Sequence, residues 1–229
     1  MPVFPVAQGL VPVLALSAKA QIGHKGLSYR EALNTYQVSA VWMLDAGDSR
    51  PMAQHKNLIL VGFMGTGKTA VGQAAARALG FAYVDSDELI EQKAGKAISR
   101  IFVEDGEPHF RDLETEVIRS LAARDRHVVA TGGGCVLRDE NWEAMRRAGL
   151  VVCLAARPEV IFERTRHHTH RPLLQTPDPM ARIHELLDRR APFYARADHA
   201  VDTSDLTVEE VVARLLELWS NPSGSRKTN

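Results

Sequence analysis

The sequence predicts a three-layer α/β fold, with a five-stranded parallel sheet carrying helices on both faces. Two observations carry that expectation. Apolar runs suited to buried parallel strands recur at residues 57–61, 81–84, 127–130, 150–154 and 200–202, and helical periodicity fills the gaps between them. The first of these runs leads directly into Gly62-Phe63-Met64-Gly65-Thr66-Gly67-Lys68-Thr69, a G-x-x-x-x-G-K-[ST] pattern, and residues 69–79 then read as a helix. Strands alternating with helices imply right-handed crossovers and a ligand site at the carboxyl ends of the strands.

The helices have their own signals. Phe110, Leu113, Val117 and Leu121 recur at spacings of three and four, which gives one apolar face. Gly80 and Gly149 stand where helices should stop. Pro158 suits a first helical turn, and Thr207-Val208-Glu209-Glu210 is a capping box opening the last helix.

Composition narrows the class. Of the 229 residues, 45% are hydrophobic and 24% charged, as in an ordinary globular protein. Lys+Arg and Asp+Glu both number 28, so no charge excess points to nucleic acid or a membrane. No stretch approaches the ~20 apolar residues needed to span a bilayer. The two cysteines, Cys135 and Cys153, are too few for a disulfide framework and lack metal-ligand spacing. Cys153 lies in an apolar run and reads as a small buried hydrophobe. The expected compartment is the cytoplasm.

The working domain is expected over residues 52–220. Residues 1–51 carry no catalytic motif: their apolar stretch lacks a basic leader and is broken by Pro5 and Pro12, and Glu31, Asp45 and Asp48 argue against a transit peptide. Residues 29–41 have the pattern of one amphipathic helix. Either the segment is a flexible extension or the working protein starts at Met52. Residues 221–229, rich in Ser, Gly, Pro and Lys, read as a disordered tail.

Five clusters carry chemistry. The glycine-rich loop presents backbone N–H groups at a helix start, a cradle for the phosphates of ATP or GTP formed by Gly65, Thr66, Gly67, Lys68, Thr69 and Ala70. Lys68 is placed to reach the β- and γ-phosphates, and the Thr69 hydroxyl to bind Mg²⁺. Next, Asp85-Ser86-Asp87 follows the second strand. Its two carboxylates can take different jobs, one facing Mg²⁺ and one facing an acceptor hydroxyl; capping of the next helix is the plainer use. In Gly106-Glu107-Pro108-His109-Phe110-Arg111-Asp112-Leu113-Glu114, Arg111 and Glu114 stand i, i+3, the spacing of a routine surface ion pair. Thr131-Gly132-Gly133-Gly134 follows a strand and leaves backbone N–H groups for a ligand. Finally, residues 164–194 hold Arg171-Pro172-Leu173-Leu174 and Arg189-Arg190-Ala191-Pro192-Phe193-Tyr194, arginines suited to a mobile lid closing over phosphates.

The order GFMGTGKT, DSDELIE, GEPHFRDLE, TGGG, RPLL and RRAPFY resembles the shikimate kinase family, over roughly residues 56–216. The resemblance implies a three-layer P-loop fold with a mobile lid, and transfer of the ATP γ-phosphoryl group to the 3-hydroxyl of shikimate with Mg²⁺, in a monomer. It assigns shikimate to Asp87, Arg111, Gly132, Gly133, Gly134 and Arg190, and Mg²⁺ to Thr69 and Asp85. Nucleotide contacts fall on the loop, on Arg164 beside adenine and on Arg171 at the phosphates, so that Lys68, Asp87 and Arg171 are the catalytic set. The lid stretch Arg166-His167-His168-Thr169-His170 departs from the family in its histidines, as a metal site or as solvated loop residues. Gluconate is the rival acceptor, and a nucleotide-dependent binding module the rival without catalysis.

Overall fold

The computed structural model describes residues 56–166 and 176–221. Five parallel strands, β1 (Asn57–Val61), β2 (Ala82–Asp85), β3 (His127–Ala130), β4 (Gly149–Ala155) and β5 (His199–Asp202), lie in the order β2-β3-β1-β4-β5. β1 is the middle strand and is buried throughout, with Ile59 registered between Val129 and Val151. A parallel strand covered on both faces needs such a continuous apolar run.

The helices are α1 (Lys68–Leu79), α2 (Ser86–Ala94), α3 (Ile98–Glu104), α4 (Gly106–Ala122), α5 (Asp139–Ala148), α6 (Pro158–Thr165), α7 (Pro179–Tyr194) and α8 (Val208–Ser220). Their apolar faces build a core on each side of the sheet. One core joins Ile59, Val129 and Val151 to Phe110, Val117, Ile118 and Leu121 of α4; the other joins Leu58, Leu60 and Val152 to Val71 and Ala75 of α1 and Leu215 of α8. Leu113, on the expected face of α4, packs only partly buried against the first core. Cys135 and Cys153 are both free and buried. Pro158 stands in the first turn of α6, and the Thr207–Glu210 capping box is formed.

Several features differ from the sequence reading, among them β5, which starts one residue early at His199. β2 runs one residue later, because Phe81 turns out of the strand to meet Trp219 edge-on at 5.4 Å, and Asp85 takes the last strand position. β4 begins at Gly149, so this glycine ends α5 and starts the strand at once. The arginine-rich stretch is also not one loose connection: α6 and α7 claim Arg164, Arg190 and Tyr194 as helical residues. The lid histidines His167, His168 and His170, Arg171 with the rest of 167–175, and the segments 1–55 and 222–229 lie outside the described residues.

The two edges of the sheet are unlike. At the amino edge, the buried Asn57 side chain donates to Arg124 O (2.6 Å) and Ala148 O (3.1 Å) and accepts from His127 N (2.9 Å), closing that end with its polar groups satisfied. The carboxyl edge holds the loops after β1, β2 and β3. Trp142 of α5 is fully buried and donates to Val136 O at 2.8 Å, and Asn141 donates to Cys135 O at 2.9 Å. Together they anchor the 3₁₀ turn (Cys135–Leu137) that follows the triple glycine. Removing the Trp142 ring would cost about 3–5 kcal/mol and release that turn.

Candidate active site

The loop after β1 is shaped by glycine. Gly65 (φ 78°) and Gly67 (φ 92°) are left-handed, and Gly67 is the N-cap of α1 with no side chain of its own to spend on the helix start. No acidic residue occupies the first turn of α1, so the positive end of the helix is left for an anion. Thr69 and Ala70 are exposed there. The buried Thr66 turns inward and donates to Phe63 O at 2.8 Å, so its side chain serves loop shape. Lys68 Nζ donates to Gly62 O (2.8 Å) and Phe63 O (2.9 Å), which holds its charge over the cradle.

Arg164, on α6, donates to Gly65 O (3.3 Å), Thr203 Oγ1 (3.0 Å) and Thr203 O (2.8 Å). Thr203 Oγ1 in turn donates to Thr66 O at 3.1 Å. Arg164 therefore ties the phosphate loop to the segment after β5 through its in-plane donors, and the flat face of the guanidinium stays available for stacking on a base. Thr203 escaped the sequence reading because a single threonine after a strand carries no pattern.

The Asp85-Ser86-Asp87 run divides its work differently from an extended segment. Asp85 ends β2 and caps α2, accepting from Asp87 N at 2.9 Å, whereas Asp87 already sits in the first helical turn. The other Asp85 oxygen accepts from Tyr83 Oη at 3.2 Å, and that phenol also meets the Thr69 hydroxyl. Ser86, fully buried, accepts from Gly132 N at 3.0 Å and so joins this run to the triple glycine. Burial, then the Asp85 charge, pushes the Asp87 carboxyl up to about 6, against the pull of Lys68. Its Oδ1 has no hydrogen-bond partner among the described residues.

Arg111 and Glu114 are not the surface pair their spacing allows. Glu114 is 0% exposed and accepts from Arg111 Nη1 at 2.9 Å, while Glu107 accepts from Arg111 Nη2 at 3.0 Å. Burial pushes the Glu114 carboxyl up to about 7 despite Arg111, and its Oε1 is unpartnered among the described residues. The Arg111 guanidinium lies 5.0 Å from the Phe110 ring centre, and Phe102 packs on Phe110 at 4.7 Å with over a third of its surface exposed. A half-open aromatic wall beside an arginine suits a small ring bearing a carboxylate.

The triple-glycine loop brings these groups together. A Cβ on Gly132 would stand 2.6 Å from Asp87 Oδ1 and 3.1 Å from Glu114 Oε1, so both unpartnered oxygens converge on one point. A Cβ on Gly134 would lie 2.6 Å from the Arg111 guanidinium, and one on Gly133 would lie 3.5 Å from Arg190 Nη1 and 3.7 Å from Met64 N of the phosphate loop. The Gly132 and Cys135 amides are satisfied within the protein; those of Gly133 and Gly134 meet no protein acceptor among the described residues. Arg190, 7% exposed, donates to Gly133 O and stands over the Phe63 ring. The structure thus gathers Lys68, Asp87, Arg111, Gly132–Gly134 and Arg190 at the carboxyl edge, beside Thr69 and Asp85.

A divalent cation finds a suitable donor set here. The Thr69 hydroxyl and the Asp85 carboxylate are hard oxygen donors, and two protein ligands are typical of Mg²⁺ held mainly by phosphates and water. Among the described residues no group of three or more His, Cys, Asp or Glu side chains is arranged to hold a metal unaided.

Comparison with known proteins agrees with this site. A family model described as shikimate kinase matches residues 64–219. The shikimate kinase of Thermodesulfovibrio yellowstonii is 48% identical over 171 residues, covering 75% of this chain and 99% of the relative. That of Caldanaerobacter subterraneus is 44% identical over 169 residues, covering 74% and 99%. Among solved structures, the shikimate kinase from Acinetobacter baumannii in complex with shikimate superposes with a TM-score of 0.71 at 37% identity, covering 75% of this chain and 96% of that one. The Aquifex aeolicus shikimate kinase gives 0.63 at 33% identity, covering 73% and 98%. On these matches, and with the loops that build the site lying almost wholly inside the matched region, the chain belongs to the shikimate kinase family.

Proposed function

We propose that this site transfers the γ-phosphoryl group of ATP to the 3-hydroxyl of shikimate, giving shikimate 3-phosphate and ADP. One observation carries the reading: the unpartnered Asp87 oxygen, the Arg111 guanidinium and two free glycine amides converge beside the phosphate loop. Shikimate offers one carboxylate and three hydroxyls to that set. Arg111 and Arg190 grip the carboxylate, for which a guanidinium fork is well shaped. Asp87 and the Gly133 and Gly134 amides hold the ring hydroxyls. The triple glycine lets the ring approach closely, with Gly132 between Asp87 and Glu114.

In phosphoryl transfer the largest contribution is placement and charge stabilisation. Lys68 leaves its loop carbonyls for the transferring group, and the Gly65–Ala70 backbone cradles the phosphates. Arg171, outside the described residues, is assigned to the phosphates from its place before Pro172-Leu173-Leu174. Thr69 and Asp85 would hold Mg²⁺, whose charge would offset that of the phosphate oxygens. Asp87 accepts the hydrogen bond, and then the proton, of the attacking hydroxyl; at about 6, its carboxyl is ionised at neutral pH and more basic than an ordinary aspartate.

We place the enzyme in the cytoplasm as a monomer of residues 52–220, with residues 1–51 outside the working domain. Both cysteines are free and buried, the large hydrophobics exposed among the described residues are Phe102 and Val103, and none of those residues forms a helix long and apolar enough to cross a membrane. A neutral net charge supports small-molecule partners in preference to nucleic acid. The test is ADP release by the purified chain with ATP and Mg²⁺, with shikimate and with gluconate. Release that needs shikimate and ignores gluconate is expected. Release with gluconate alone would move the acceptor, and ATP binding without release to either would leave a binding module.

A further inference from the structure

The geometry points to Tyr194 as a positioning residue for the acceptor site, setting the direction of the Gly134 amide and leaving Arg190 free for the substrate carboxylate. The inference rests on the shikimate reading above. Gly133 O accepts two hydrogen bonds, both from α7: one from Tyr194 Oη at 2.9 Å and a longer one from Arg190 Nη1 at 3.3 Å. The two donors stand i, i+4 on the helix, so they share one face. Both side chains are nearly inaccessible, at 3% and 7% exposure.

The peptide joining Gly133 to Gly134 is planar and trans, and no described peptide is cis. Its carbonyl oxygen and the Gly134 N–H must therefore point in opposite directions. Holding the oxygen against α7 turns the N–H away from α7, and it belongs to the residue whose Cβ position faces the Arg111 guanidinium. A glycine pair has no side chains to fix its peptide plane. The turn bond from Cys135 N to Gly132 O spans it from within the loop, and Tyr194, 61 positions along the chain, holds its carbonyl from outside.

The same contact bears on Arg190. A buried carbonyl left without a donor costs its full desolvation penalty. Were Arg190 the sole donor, moving it onto a substrate carboxylate would orphan Gly133 O. With Tyr194 making the shorter bond, Arg190 can turn away and the carbonyl remains satisfied. Burial pushes the Tyr194 phenol well above its ordinary range, so it stays a donor wherever the enzyme works.

Tyr194→Phe keeps the ring and removes the donor. The expected result is a KM and a calorimetric Kd for shikimate raised about three- to tenfold, as for one lost buried hydrogen bond. The KM for ATP should be unchanged and Tm should move by little. Tyr194→Leu, which also loses the ring, should share the shikimate defect and fall further in Tm. Shikimate constants in Tyr194→Phe equal to those of the wild type would overturn the proposal. So would a defect spread equally over ATP and shikimate with a lowered Tm, since that is general loosening. A wild-type chain that binds no shikimate would overturn the underlying acceptor reading, and this inference with it.

Discussion

The two halves of the site are built by opposite means. The phosphate half is one contiguous loop and a helix start, made largely of backbone donors and braced from outside by Arg164 and Thr203. The acceptor half is assembled from α2, α4, α7 and the loop after β3, and two of its carboxylates each bury an oxygen that is unpartnered among the described residues. Backbone N–H groups keep their dipoles at every pH. Buried carboxylates do not keep their charge: Asp87 and Glu114 are pushed to about 6 and about 7. pH sensitivity therefore belongs to the half that reads the acceptor.

The widest separation of the halves should come from Asp87→Asn. It leaves the phosphate loop intact and removes the base and the strongest acceptor for the ring hydroxyl. Turnover should fall ~10²–10⁴-fold, with calorimetric ATP affinity unchanged. A parallel loss of ATP binding would mean that the halves are not separable at Asp87, and equal turnover would remove Asp87 from the chemistry.

Glu114 sharpens the contrast through pH. Its carboxyl is raised in the fold, so between about pH 4.5 and 7 the folded state holds a proton that the unfolded chain has released. Stability therefore falls as pH rises through that window and levels off above it. Asp87 acts in the same sense below about pH 6. Glu114→Gln should flatten the curve of Tm against pH, removing on the order of 3 kcal/mol of its fall between pH 5 and pH 8. A variant curve parallel to the wild type would show Glu114 ionised throughout. The same substitution leaves Arg111 without its buried anion, so the shikimate KM should rise as well.

Arg111→Lys tests the fork itself. A lysine keeps the charge but loses the planar pair of donors that Glu114, Glu107 and a substrate carboxylate would share. The shikimate KM should rise about 10- to 100-fold with the ATP KM unmoved, the range for one charge-assisted hydrogen bond. An unchanged shikimate KM would return Arg111 to a structural role.

How much of this was legible in the sequence follows the same division. The phosphate loop could be read locally, because strand, glycines, lysine and helix start are consecutive. The strands could be placed because buried parallel strands are continuous apolar runs, and the misplaced edges at Phe81 and Gly149 are set by tertiary contacts with Trp219 and Asn57. The acceptor half could not be read from local pattern. Ser86 meets Gly132 across 46 positions and Tyr194 meets Gly133 across 61, and i, i+3 spacing cannot tell a buried Arg111–Glu114 pair from a surface one. Only the resemblance to a family named those residues together; the roles of Tyr83, Ser86, Tyr194 and Thr203 required the fold.

The smallest expected effect lies where the halves touch. Tyr83 Oη donates to Asp85 Oδ2 and meets the Thr69 hydroxyl, the two groups assigned to Mg²⁺, one from each half. Its ring lies 2.8 Å from where a Cβ on Gly72 would stand, so α1 carries a glycine at the point where the ring crosses it. Each Asp85 oxygen already accepts one hydrogen bond, and a carboxylate oxygen has a second lone pair for a cation. Tyr83→Phe should leave ADP affinity in EDTA unchanged and weaken ADP affinity in Mg²⁺ about threefold, the worth of one orienting hydrogen bond. Gly72→Ala, which displaces the ring, should act in the same direction. If both variants bind ADP with wild-type affinity in Mg²⁺ and in EDTA alike, Asp85 is held well enough by its cap on α2, and the two halves meet at Tyr83 without depending on each other there.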